Sequence, residues 1–194
     1  GGEHPLASYL LDIDTKPVLP MESFDISDTA KATAAAVMQA PSGVARLLLY
    51  GKPGTGKTEF TRALCSSLGL RACFIRQRQD DSTAVFMRLN LASKCVDPER
   101  DVLVIDEADD FLNVEPGLFQ PKDGLRKGLV NEFLDAAPAR MIFITNQTWR
   151  ISDSILRRMS YHLEFEDFTF QQRLRLWNRR SEEHTSELQS LSHL

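Results

Sequence analysis

The chain has 194 residues, of which 42% are hydrophobic and 26% charged, a composition typical of one soluble globular domain with its own core. Its net charge of −4 argues against the basic surface of a nucleic-acid-binding protein, and no apolar run is long enough to span a bilayer. The three cysteines are scattered among apolar neighbours, which favours reduced thiols and a cytoplasmic location over disulfides or a metal site.

The first part of the chain lacks clear periodicity. Residues 1–22 are expected to be an irregular segment of a longer protein, because Pro5, Pro17 and Pro20 discourage regular elements and no initiator Met is present. A helix over residues 27–41 follows, and from there helices and strands alternate.

Short apolar runs and amphipathic stretches follow each other after residue 45. The predicted strands are 46–50, 72–76, 102–105, 141–145 and 161–165, and the predicted helices between them are 58–69, 82–96 and one around 125–134. Continuous apolar strands separated by such helices indicate an α/β fold, with a five-stranded, mostly parallel sheet covered on both faces. Ligands in these folds bind at the carboxyl ends of the strands.

The stretch GKPGTGKT, residues 51–58, fits the phosphate-binding loop pattern of Gly, any four residues, and Gly-Lys-Thr. Its glycines allow backbone N–H groups to surround a phosphate, and the following helix directs its positive end at the same anion. Lys57 is expected to reach the β- and γ-phosphates, and the Thr58 hydroxyl to bind Mg²⁺. A plain Gly-rich turn is the alternative, but the strand before and the helix after favour nucleotide binding. The predicted nucleotide-binding residues are Gly51, Pro53, Gly54, Thr55, Gly56, Lys57, Thr58, Glu59 and Asp106.

Two carboxylates, Asp106 and Glu107, end the apolar strand 102–105. Asp106 is expected to hold the Mg²⁺ ion through a water molecule, and Glu107 to polarise the attacking water. A solvated strand end is the alternative, which the phosphate loop in the same sheet disfavours. We interpret the next two carboxylates, Asp109 and Asp110, as charges at the start of a helix.

Asn146 follows the fourth predicted strand, where a neutral amide could bridge the attacking water and the γ-phosphate; a turn-forming Asn is the alternative. Arg157 and Arg158 precede the fifth strand. One reading is a solvated face, and the other is an arginine finger that neutralises charge in the transition state. The sequence leaves open which of the two arginines would be the finger.

Taken in order, the motifs GKPGTGKT, VLVIDEAD, ITNQ and SDSILRRM resemble those of the AAA+ ATPases of the P-loop NTPase superfamily, in a bacterial-type core. The resemblance implies a three-layer αβα sandwich that binds ATP and Mg²⁺. It also implies that Glu107 is catalytic, that Asn146 is the first sensor, and that Arg157 and Arg158 serve the neighbouring subunit of a ring, commonly of six. The stretch 23–26 resembles the segment that lines the adenine pocket.

The resemblance also divides the chain. It implies a nucleotide-binding domain over 23–167 and the first helix of a truncated helical lid over 168–179. Residues 180–190 can be encoded without a mismatch by a common sequencing-library adapter, so we interpret 180–194 as a non-native tail. A fragment that ends inside the lid is expected to be weakly active or inactive.

The leading hypothesis is therefore an ATP-hydrolysing module that couples turnover to the remodelling of an unidentified protein partner. Two alternatives are a nucleotide-gated switch with little hydrolysis and a DNA-associated protein of the clamp-loader or helicase-loader type. No aromatic–hydrophobic–Gly loop follows the second strand, and Phe86 has the helical spacing of a core residue, so threading of a polypeptide through a pore is not supported. Trp149 and Trp177 are predicted to be packing residues.

Overall fold

The computed structural model describes residues 6–41, 44–76, 82–112, 123–149 and 151–167. Within these ranges the helices are α1 Ala7–Leu10, α2 Asp28–Met38, α3 Lys57–Ser67, α4 Ser82–Cys95, α5 Asp109–Leu112, α6 Asp123–Ala136 and α7 Asp153–Leu156, with a short 3₁₀ helix at Met21–Ser23. The strands are β1 Leu11–Ile13, β2 Arg46–Gly51, β3 Arg71–Ile75, β4 Asp101–Ile105, β5 Arg140–Thr145 and β6 Tyr161–Phe165.

The six strands form one sheet in the order β1-β3-β4-β5-β2-β6, and every pairing is parallel except that of β1 with β3. In the register of the central strands, Tyr50 lies beside Thr145 and Ile105 beside Phe143. The carboxyl ends of β2, β4 and β5 therefore meet at one edge of the sheet, where the predicted motifs follow them.

Side chains of the central strands alternate between two hydrophobic cores, as the pleat of a strand requires. Leu48, Leu103 and Phe143 pack on the face covered by α4 and α6. Their chain neighbours pack on the face covered by α2 and α3; these are Leu47, Leu49, Val102, Val104, Ile142 and Ile144. The two cores and the sheet between them confirm the predicted three-layer α/β/α architecture.

The prediction of an irregular N-terminal segment was wrong for residues 7–13. There α1 and β1 form, and Leu10 and Leu11 are buried. The antiparallel pairing of β1 with β3, with Leu11 beside Ile75, gives the sheet six strands instead of five. A three-residue strand carries little periodicity of its own, and its hydrogen bonds come from a strand about 60 residues away, so the sequence pattern did not reveal it.

The structure confirms the predicted packing of one aromatic side chain and contradicts that of another. Phe86 is buried, and its ring centroid lies 5.2 Å from that of Phe111, which confirms its place in the core. Trp149 is 68% exposed, so its predicted packing role was wrong; it lies in the loop after β5, where its indole Nε1 donates to Gln147 Oε1. Trp177 and the predicted segments 168–179 and 180–194 lie outside the described residues.

None of the described helices is both long and apolar enough to cross a membrane.

Candidate functional site

The loop of residues 51–56 connects β2 to α3 and depends on glycine at both ends. Gly51, the last residue of β2, has φ +143°, and a Cβ there would lie only 2.2 Å from the backbone oxygen of Phe165 in β6. Gly56 immediately precedes α3 with φ +89°, in the left-handed region that favours glycine. The backbone can therefore turn sharply from strand to helix and leave the first N–H groups of α3 open towards an anion.

Lys57, the first residue of α3, is only 6% exposed. Its Nζ donates to the carbonyl oxygens of Gly51 at 2.6 Å and Lys52 at 2.8 Å, which holds the ammonium group inside the loop. Burial lowers the pKa of Lys57, and the nearby carboxylates of Asp106 and Asp109 act in the opposite direction. The predicted phosphate-binding lysine thus lies between the loop and the carboxylates that follow β4.

The side chain of Thr58, the next residue of α3, meets Asp106 at the end of β4. Thr58 Oγ1 donates to Asp106 Oδ2 at 2.9 Å. A hydroxyl and a carboxylate so close together form part of an oxygen donor set that suits Mg²⁺.

Glu107 follows Asp106 and is exposed at the same edge of the sheet. It has φ +51°, the one positive φ of a non-glycine residue among the described positions, and its N–H donates to Asp106 Oδ1 at 2.9 Å. Left-handed backbone at a non-glycine residue is uncommon and clusters at functional sites.

Asn146 lies at the end of β5, next to the residues that follow β4. Its backbone N–H donates to Asp109 Oδ1 at 3.0 Å, and its side-chain Nδ2 donates to Asp109 Oδ2 at 3.3 Å. The structure therefore brings together Lys57, Thr58 and Asp106, with Glu107 and Asn146 on the same edge of the sheet.

Three other side chains lie in or beside the phosphate loop. The Glu59 carboxylate accepts from Arg62 Nη1 at 2.6 Å, so this predicted binding residue is engaged within α3. Lys52 pairs with Asp167, just after β6. Phe24 packs edge-on against Phe60 of α3, with 5.4 Å between ring centroids. Its ring edge would lie 4.0 Å from a Cβ at Gly56, which puts the stretch that resembles an adenine pocket beside the loop.

The remaining predicted loop residues divide by exposure. Pro53 and Gly54 are exposed at the tip of the loop. Thr55 is buried, and its hydroxyl donates to the Lys52 carbonyl oxygen at 2.8 Å, which closes the turn.

The two arginines of the C-terminal motif differ in their contacts. Arg158 donates through Nε and Nη2 to the two carboxylate oxygens of Asp135 in α6, at 2.8 and 2.9 Å, and through Nη1 to the Ser154 carbonyl at 2.7 Å. The hydrogen bonds with Arg158 lower the pKa of Asp135, and those with Asp135 raise the pKa of Arg158. Arg157 is exposed, and its guanidinium has no partner among the described residues.

A comparison with known families identifies the domain. Residues 47–167 match the model of the ATPase family associated with various cellular activities (AAA), which spans the loop, both carboxylates, Asn146 and the two arginines. The chain belongs to the AAA family. The resemblance drawn from its motifs is thereby confirmed.

The AAA fold is also found in a solved structure. A chain of the structure titled E. coli MS115-1 HORMA:CdnC:Trip13 complex is similar, with a TM-score of 0.60 and 16% identity, over 91% of this chain and 76% of that chain. At this identity the match concerns the fold. No curated protein matches the chain.

Sequence reasoning missed two parts of this AAA site. Asp109 was interpreted as a helix-start charge, although it contacts Asn146. The available signal was a carboxylate three residues after Asp106 and a polar pair, Thr145-Asn146, where the next strand ends. The pairing of Arg158 with Asp135 has no local signal, because 23 residues separate the two.

Proposed function

We propose that this AAA domain binds ATP and catalyses its Mg²⁺-dependent hydrolysis. The observation that carries the proposal is the contact of Thr58 with Asp106 beside the buried Lys57, because it joins the phosphate loop to the carboxylates that follow β4. The donors also suit the ligand: backbone N–H groups and an ammonium group for phosphate, and a hydroxyl and a carboxylate for Mg²⁺.

Each residue then has a defined task. Lys57 would exchange the loop carbonyls for phosphate oxygens, and Thr58 and Asp106 would hold the metal ion. Glu107 accepts hydrogen bonds from the attacking water and draws off its proton, and Asn146 orients that water against the γ-phosphate. Bound Mg²⁺ supplies the positive charge that offsets the charge on the phosphates.

Of the two arginines, we assign Arg157 as the finger and Arg158 as its anchor. Three donor groups of Arg158 are engaged with Asp135 and Ser154, so this side chain fixes α7 against α6. Arg157 projects from the end of α7 into solvent and is available to a nucleotide on a neighbouring subunit. This assignment implies a homo-oligomeric ring, commonly a hexamer in proteins with this motif set.

The reaction is proposed to drive the remodelling of a protein partner in the cytoplasm. Support comes from the similar solved structure, a complex that contains HORMA and CdnC together with Trip13. For this chain the partner is defined only as a protein.

The test is phosphate release by the full-length protein with ATP and Mg²⁺. Glu107→Gln is expected to abolish release and keep ATP binding, and Lys57→Ala is expected to weaken binding itself. Glu99→Gln, the same change at an exposed residue remote from the site, is the control and should leave the rate unchanged. ATP binding without release by the wild-type assembly would refute hydrolysis and favour the nucleotide-gated switch.

A further inference from the structure

Asp109 is the centre of a hydrogen-bonded cluster at the end of β5. Its Oδ1 accepts from the Thr145 hydroxyl at 2.7 Å and from the Asn146 backbone N–H at 3.0 Å. Its Oδ2 accepts from the Asn146 side-chain Nδ2 at 3.3 Å and lies 3.2 Å from the same backbone N–H. One carboxylate therefore holds both the backbone and the side chain of Asn146.

The Asp109–Asn146 contact lies where the chain after β4 is held against β5. The residue before Asp109, Ala108, donates its N–H to the carbonyl oxygen of Ile144 at 2.7 Å, so the chain after β4 is bonded to β5 through its backbone as well as through the carboxylate. Thr145 is 1% exposed, which shields one side of the cluster from water. Charge-assisted bonds at such a site are roughly twice as strong as neutral ones.

A helix-capping role does not account for this geometry. Asp109 starts α5, yet its hydrogen bonds within the described residues run to β5 and not to N–H groups of its own helix. The next residue, Asp110, carries the same charge at the same helix end but is exposed.

We propose that Asp109 is a positioning residue that sets the orientation of the Asn146 amide for catalysis. An ionised carboxylate only accepts hydrogen bonds, so the NH₂ group of Asn146 must face Asp109. The amide oxygen then faces away from Asp109, where it can accept a hydrogen bond from the attacking water. If the amide were rotated by 180°, Asn146 Oδ1 would face Asp109 Oδ2, and two acceptors would repel each other. This inference rests on the proposed role of Asn146 in hydrolysis.

An asparagine in place of Asp109 would not fix the orientation of the Asn146 amide. It offers one acceptor oxygen to three donor groups and presents an NH₂ group to its neighbours. Burial lowers the pKa of Lys57, and the charges of Asp106 and Asp109 partly oppose that shift, which connects the carboxylate to the phosphate side of the site.

The experiment compares Asp109→Asn with Asp110→Asn in the full-length protein. Asp109→Asn is expected to lower kcat about 10- to 100-fold, the range found when a residue that orients an active-site side chain is replaced, with KM for ATP changed by less than about threefold. Asp110→Asn should retain the wild-type kcat. In an Asn146→Ala background, Asp109→Asn should have almost no further effect, because it acts through the missing amide. Full additivity of the two substitutions, or an unchanged kcat, would overturn the proposal.

A second readout does not depend on hydrolysis. The side-chain amide resonances of Asn146, assigned by their loss in Asn146→Ala, should shift in Asp109→Asn and stay in place in Asp110→Asn without nucleotide. If the wild-type protein releases no phosphate, the proposed function fails, while these resonances still decide whether Asp109 orients the amide. If Asp109→Asn does not fold, Thr145→Val takes its place: it removes one donor, and unchanged kcat and resonances would count against the cluster.

Discussion

Replacing Gly51 with alanine adds one methyl group where the phosphate loop begins. The new Cβ would lie 2.2 Å from the Phe165 oxygen, 3.0 Å from the Phe165 Cβ and 3.1 Å from its carbonyl carbon. Comfortable contact between such atoms begins at about 3.5 Å, so β2 and β6 would have to separate by roughly 1 Å. The obstacle is mostly backbone, which cannot move aside as a flexible side chain would.

The expected loss of stability has two parts. Overpacking against an ordered neighbour costs about 1–3 kcal/mol, and a backbone conformation that L-residues rarely adopt costs about 1–3 kcal/mol more. Alanine also restricts the unfolded chain more than glycine does, which stabilises the folded state by about 0.4–1 kcal/mol. A net loss of about 3 kcal/mol should lower the midpoint of thermal unfolding by about 6–12 °C for a protein of this size.

Gly54→Ala is the matched control. Gly54 also has a positive φ, +79°, but a Cβ there would have no neighbour within 4 Å. This variant should therefore lose only about 1 kcal/mol, through the backbone alone. Thermal unfolding of both variants without nucleotide, followed by circular dichroism, measures the difference. Equal midpoints for the two variants would refute the close approach of β6 as the reason for glycine at position 51.

The other predictions concern the arginines and the thiols. Arg157→Ala should leave ATP binding and the unfolding midpoint unchanged and lower kcat about 10³-fold, whereas Arg158→Ala should lower both kcat and the midpoint. Mixing Arg157→Ala with Lys57→Ala subunits should restore part of the activity if the arginine acts across an interface; no rescue would contradict that. Burial raises the pKa of Cys65 to about 12, so about one thiol in 10⁴ is ionised at pH 8. Iodoacetamide should therefore modify the partly exposed Cys95 first, and rapid labelling of Cys65 in the folded protein would contradict its burial.

Residues that act through local spacing could be predicted. The phosphate-binding pattern over residues 51–58 requires only a loop between a strand and a helix. The sequence predicts that strand and that helix separately, from their own hydrophobic patterns. Asp106 and Asn146 could be placed on one edge because parallel strands end together. The family match over residues 47–167 confirmed the kind of domain that these motifs predicted.

Contacts between distant segments could not be predicted. β1 pairs with β3, and Arg158 with Asp135, only because folding brings these distant segments together. The local sequence around one partner contains nothing that identifies the other. Trp149 was expected to pack because large aromatic residues usually do, but the loop after β5 leaves it in solvent.

By itself, the sequence determined the alternation of buried strands and amphipathic helices, the phosphate loop and the polar residues that follow the strands. These features depend on side-chain periodicity and on short spacings along the chain, which folding does not change. The tertiary structure decided which of these side chains touch. It attached Asp109 to Asn146, engaged Arg158 while leaving Arg157 in solvent, and set Phe165 against Gly51. Hydrogen bonds and steric contacts act over a few ångströms, and only the packed sheet brings residues that are far apart in the chain within that distance.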